Sequence, residues 1–265
     1  MKISGFPQPF TPRGVAAFAR EGLGILLMAW LLAALAAGAA SAWCLQKNCF
    51  SVAGAAIERL PDAGDISFGR LHWRGESPEM LVEGRVLAVD VDLDHSGVIR
   101  STCDGQVEFG AKSMRVYSLI GYWEAAYPPH GYIPFNRPAL EPLWNAWAPL
   151  LPIFSAAVIA IGLLLCWTVL AAVYFFPVRL AGFFMNRHIN LMAAWKLSAA
   201  ALLPGALVMT GGVLLYNAGW LQLAAFGGFF VAHFVIGWIY AAMSLVFVPR
   251  ATGAPPKGNP FKKKR

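Results

Sequence analysis

The run Asp90-Val91-Asp92-Leu93-Asp94-His95-Ser96-Gly97 gathers four titratable side chains within a few residues. On a strand, Asp90, Asp92 and Asp94 project from one face, where neighbouring carboxylates repel one another unless water or a cation separates them. Calcium is the cation such a pattern would suit. An EF-hand loop, however, needs Gly where His95 stands and a bidentate Glu where Ser101 stands, so two of its defining positions fail. The sequence therefore predicts a solvated acidic strand face ending in a turn, with Asp90, Asp92 and Asp94 as metal candidates but no dedicated ion. Asp94, His95 and Ser96 are also the residue types of a hydrolytic triad, but a triad is assembled from separate parts of a fold, and sequence neighbours seldom build one. No catalytic residue and no cofactor site is assigned.

Two further groups have chemistry open to them. Cys44, Cys49 and Cys103 are possible disulfide partners if their segment is exported, although three thiols leave at least one unpaired. A Cys44–Cys49 bond would close a short loop, and a Cys49–Cys103 bond would staple two distant parts of the segment. No pair has zinc-site spacing, and Cys166 lies in an apolar run as a packing residue. His233 also sits inside a long apolar run, where tyrosines and a cysteine are the only other titratable groups, which makes it the possible intramembrane polar site. A single histidine on an apolar helix suits packing and a local hydrogen bond as well as a proton relay. Walker A, Gly-rich dinucleotide, kinase, HExxH and GxSxG sequences are all missing, so motor, kinase and common hydrolase readings have no support.

The elements that must position these residues follow from composition. Of the 265 residues 58% are hydrophobic and only 13% charged, against about 25% charged in ordinary soluble domains. Four apolar runs, at 22–43, 151–176, 197–217 and 220–248, reach the length of about 20 residues that a hydrocarbon core requires. Charge divides accordingly: residues 44–145 carry nine basic and thirteen acidic side chains, and the remainder twelve basic and one acidic. Cytoplasmic loops beside membrane spans accumulate Lys and Arg while exported segments escape that bias. The expected fold is a polytopic α-helical membrane protein with four spans and a small exported β-rich domain between spans one and two.

In that scheme residues 1–21 form a cytoplasmic segment, 44–150 the exported domain and its return strap, 177–196 a cytoplasmic loop within a three-helix bundle at 151–248, and 249–265 a basic cytoplasmic tail. Both termini are cytoplasmic, and the membrane is a bacterial cytoplasmic or inner membrane. Ala40-Ser41-Ala42 has the form of a signal-peptide cleavage site. Ala34, Gly38 and Ala42, at four-residue spacing, favour helix packing instead. The formal charge of +7 is spread over tails and one loop beside apolar runs, so its partners are the bilayer and anionic phospholipid headgroups at the cytoplasmic face, not nucleic acid.

Within the exported domain, residues 49–60 suit a short helix ending before Pro61, and 66–73, 80–93 and 107–116 read as strands of an antiparallel meander. Turns fall at Gly75-Glu76-Ser77-Pro78 and Asp94-His95-Ser96-Gly97. Residues 118–126 suit a short helix, and the proline-rich stretch 127–134 a structural strap back to span two.

Leu60-Pro61, then Ile66-x-x-Gly69-x-Leu71, then Val89-Asp90-Val91-Asp92 and the hydrophobic run after Lys112 resemble a group of bacterial proteins known as maltodextrin-utilisation membrane proteins. That resemblance implies one N-terminal span, an exported β-rich segment and a C-terminal helical bundle, with no enzyme activity or ligand, although this chain has fewer spans than such proteins. The expected function is a non-enzymatic membrane protein whose exported domain senses, scaffolds or docks an envelope partner or a second copy of itself. The alternatives are a small permease gated by that domain, dependent on His233 and glycine-interrupted helices, and an interfacial enzyme acting on lipid-linked substrates.

Overall fold

The computed structural model describes residues 8–250. Lys2 and the basic tail residues Lys257, Lys262, Lys263, Lys264 and Arg265 lie outside the described residues. The chain divides into two compact units, one of Met1–Gly38, Ala157–Val213 and Ala224–Arg265, the other of Ala39–Ala156 and Leu214–Leu223.

The helices in chain order are α1 (Pro12–Phe18), α2 (Leu23–Leu45), α3 (Ser51–Glu58), α4 (Arg137–Trp147), α5 (Leu151–Phe184), α6 (Leu191–Asn217) and α7 (Leu223–Leu245). A π-turn at Gln46–Phe50 joins α2 to α3 without a break, so Leu23–Glu58 is one continuous helix. With α5, α6 and α7 it makes four helices long and apolar enough to cross a membrane.

The first unit is built around α6, whose most apolar window is 67% buried. Its buried positions include Ala194, Ser198, Ala199, Ala200 and Ala201, small side chains that let neighbouring helices approach closely, beside Leu197 and Leu203. At the core Trp30 meets Trp167 and Trp195 with ring centroids 5.9 Å away in each case, and its Nε1–H donates to Ala199 O at 3.1 Å. Glycine is required where α6 meets α7, because a Cβ on Gly205 would lie 2.3 Å from the His233 carbonyl oxygen. The loop expected at 177–196 shrinks to residues 185–190, since α5 runs through Pro177 to Phe184 and α6 begins at Leu191. Proline interrupts an apolar helix less than a soluble one, because neighbouring helices and local adjustments re-satisfy the freed carbonyl.

The second unit holds eight strands: β1 (Asp65–Ser67), β2 (Arg70–His72), β3 (Glu79–Glu83), β4 (Leu87–Val91), β5 (Gly105–Phe109), β6 (Ser113–Ser118), β7 (Gly121–Ala126) and β8 (Tyr132–Pro134). They form a three-stranded sheet in the order β2-β1-β8 and a five-stranded sheet in the order β3-β4-β5-β6-β7. Each run expected as one strand is a hairpin. The first turns at Phe68 and Gly69, whose positive φ of 51° and 72° suits the twist of a two-residue loop. Residues 118–126, expected as a helix, form β7 and its turn, and the strap contributes β8. The meander is not wholly antiparallel either, for β4 and β5 pair in parallel.

Parity divides the larger sheet into two faces. Val89, Val91 and Phe109 point to an apolar core shared with Val52, Ala56 and Leu60 of the α3 segment and with Phe135. Asp90, Gln106 and Glu108 point to the opposite face.

Candidate functional site

A parallel pair needs a crossover connection, and a helix commonly supplies it and covers the sheet with an apolar stripe. Between β4 and β5 the crossover is the irregular segment 92–104, which has backbone groups to satisfy and little apolar surface. Side chains on the polar face supply the partners. Asp92 Oδ2 accepts from Ser96 Oγ at 2.7 Å and from Gly97 N–H at 3.1 Å. Gln106 Oε1 accepts from Ser101 N–H at 3.1 Å, while its Nε2 donates to Asp90 Oδ1 at 2.7 Å and to Ile99 O at 3.3 Å.

Glu108 is the centre of this arrangement. Its carboxylate, 0% exposed, accepts from Arg100 at 2.7 Å and from Tyr117 Oη at 3.1 Å, with His95 Nδ1 at 2.5 Å. Arg100 also lies over the Tyr117 ring, 4.2 Å from its centroid. His95 Nε2 reaches Ser113 Oγ at 3.1 Å, Ser113 donates to Glu124 at 2.7 Å, and Arg115 donates to Glu124 at 3.0 Å. The chain of contacts spans β5, β6, β7 and the crossover.

The solvated acidic face is thereby corrected. Asp90 is 0% and Asp92 1% exposed, and only Asp94 faces solvent. Burial drives the Asp90 carboxyl up to about 6 despite its bond from Gln106, with the Glu108 charge adding to the rise. Burial also pushes Asp92 upward, but the bonds from Ser96 Oγ and from the Gly97, Asp94 and Ser96 N–H groups outweigh it and hold the group below the usual carboxylate range. Glu124 is lowered by Ser113 and then by Arg115. Among the described residues no group of three or more His, Cys, Asp or Glu could hold a metal ion.

These residues form a structural lattice in which the buried polar atoms bond one another. One oxygen is an exception, since Asp90 Oδ2 is buried with no partner. The sequence reading missed Glu108, Arg100 and Gln106. The signal for them was parity: in a strand beside β4, Gln106 and Glu108 alternate with Val107 and Phe109 as Asp90 does with Val89 and Val91.

A second polar cluster closes the carbonyl end of α6. Arg85 donates to Tyr216 O at 2.6 Å, Lys47 Nζ to Asn217 O at 3.4 Å, and Asn48 Nδ2 to Asn217 Oδ1 at 2.9 Å. Tyr216 Oη donates to Asp104. Two cations at a helix C-terminus complement its dipole, and the π-turn presents Asn48 to the α6–α7 turn. Cys44, Cys49, Cys103 and Cys166 are all free thiols here, and Cys103 Sγ donates to Gly105 O at 2.7 Å. His233 Nδ1 bonds the Phe230 carbonyl of its own helix.

The β6–β7 hairpin exposes a run of apolar side chains. Leu119 and Ile120 form its tip, Ile120 being 97% exposed, and Tyr122 and the 63% exposed Trp123 follow on β7. β7 is an edge strand. The opposite edge, β3, carries Glu79 and Glu83, follows Pro78 and is broken by a bulge between Met80 and Val82. Those are devices by which sheets protect an edge; β7 pairs without a bulge over six residues, its one charge, Glu124, is turned to Arg115 and Ser113, and Pro128 and Pro129 come only after the strand has ended. No family model, curated protein or solved structure matches the chain.

Proposed function

We propose that the chain is a four-span protein of a bacterial cytoplasmic membrane, with both termini cytoplasmic, whose exported β-rich domain docks an extended segment of an envelope protein onto β7. The carrying observation is the contrast between the bulged, acidic edge β3 and the regular, aromatic edge β7. An extended segment would gain main-chain hydrogen bonds along β7, and Tyr122 and Trp123 would supply side-chain contacts on alternate faces. Parity supports the geometry: Tyr127 N–H bonds Lys112 O on the β6 side, so the N–H groups of Tyr122, Glu124 and Ala126 turn away from β6.

The membrane assignment is supported by the outward faces of α2, α5 and α7. Leu31, Leu32, Ile153, Val158, Val231 and Val235 are exposed there, a surface suited to lipid. A non-enzymatic role is supported by the polar lattice, whose groups are engaged with one another and not aimed into a cleft.

Photo-crosslinking in intact cells tests the reading. A benzophenone side chain at Ile120 is expected to give a discrete adduct with another envelope protein, and Trp123→Lys should abolish it with the protein still abundant. The same probe at Glu79 should give none. Adducts only with lipid or with a second copy of this chain, or equal adducts from both edges, would overturn the proposal.

A further inference from the structure

Between α3, α4 and the apolar face of the larger sheet lies a cavity of about 280 Å³. Its walls include Ala53, Ile57, Leu81, Val107, Phe109 and Leu140, and every lining residue is apolar. Open on one side, the space offers water no polar partner along its walls, and left unfilled it forfeits dispersion contacts there. A polar ligand would find nothing to bond.

Two observations indicate what fills it. The first is covalent: α3 continues from α2 as one helix, and only residues 148–150 separate α4 from α5. Both helices that wall the cavity therefore connect directly to helices long and apolar enough to cross a bilayer. Leu143 and Trp147 are exposed on α4, the residue types of a helix lying at a headgroup interface.

The second is charge at the rim. Arg59, the residue after α3, donates NH1 to the carbonyl of the cavity residue Leu81 at 2.5 Å and is otherwise exposed. Asp62, the acid just beyond it, is engaged by Arg137 at 2.8 Å, while Glu58 is exposed. The remaining guanidinium donors have no hydrogen-bond or ion-pair partner among the described residues.

From this geometry we infer that the cavity takes one acyl chain of an anionic bilayer lipid, with the headgroup held by Arg59. The inference is independent of docking at β7. It would make the exported domain a lipid-binding module in its own right.

The test uses the full chain in lipid nanodiscs containing phosphatidic acid with a diazirine on one acyl chain. Photo-adducts are expected on peptides covering α3, α4 and β5, as well as on the apolar helices. Arg59→Gln should weaken the α3 and α4 adducts about tenfold, as loss of a charge-assisted hydrogen bond does. Ala53→Phe should abolish them by filling the cavity, and if that variant does not fold, Leu140→Trp fills it from the other wall. Diazirine-bearing diacylglycerol, which lacks the charge, should label these peptides less and be insensitive to Arg59→Gln. Labelling confined to the long apolar helices, adducts unchanged by the filling variants, or labelling by free fatty acid in preference to phosphatidic acid would overturn the inference.

Discussion

Asp90 gives the β-rich unit a pH-dependent stability. It is wholly buried, one of its oxygens has no partner, and its carboxyl titrates near 6. A carboxyl raised in the folded state keeps its proton where the unfolded chain has released it. Its contribution is therefore lost as pH rises from about 4 to about 6, by some 2 to 3 kcal/mol. Glu108 and Asp92 add negative charge around it and Arg100 opposes them. Asp90→Asn should leave stability near that of the parent at pH 4 and raise it at pH 7, a gap that paired unfolding curves at the two values would measure. A pH-independent gap would contradict the assigned titration. Gly205 makes the matching case in the helical unit. Gly205→Ala should lower stability there by about 1–3 kcal/mol, since overpacking forces the backbone of two touching helices apart, and thermal unfolding in detergent checks it. The acidic residues of 90–94 were legible as one face of a strand, but burial of that face was not, because it depends on a crossover that local pattern does not encode.

The β4–β5 crossover shows how an element without a helix can close a sheet. Its side chains and the polar face exchange hydrogen bonds where apolar packing would ordinarily serve, so the segment should be ordered only while Glu108 keeps its partners His95, Arg100 and Tyr117. Glu108→Ala would leave His95 and Arg100 without their common acceptor. A loss of about 3 kcal/mol is expected, at the lower end for a broken buried pair because Arg100 is partly solvated. Faster proteolysis within 92–104 would report it, and an unchanged cleavage pattern would refute this account of the crossover. Apolar alternation located the strands but not their ends. Residues 66–73, 80–93 and 107–116 each conceal a turn, and 118–126 holds aromatics that suit helix or strand until β6 is available to pair with. Pro177 marked a helix end by local rules, and only the surrounding bundle lets α5 continue past it.

At the scale of the whole molecule, length and hydropathy identified the four long helices and the β-sheet domain between the first and second, because an apolar run of span length leaves few alternatives. Partner and site were much less legible. The free edge of β7 and the apolar cavity both arise from distant segments brought together, and no local motif marks either. In the proposed topology the β-rich domain lies on the opposite side of the membrane from both chain ends, and β7 would be within reach of envelope proteins. The most direct test of that topology is a dual reporter, active as a phosphatase only outside the cytoplasm and fluorescent only within it, fused after Gly97, Arg187 and Arg265. Phosphatase activity at Gly97 with fluorescence at Arg187 and Arg265 is the predicted result; fluorescence at Gly97 would contradict it.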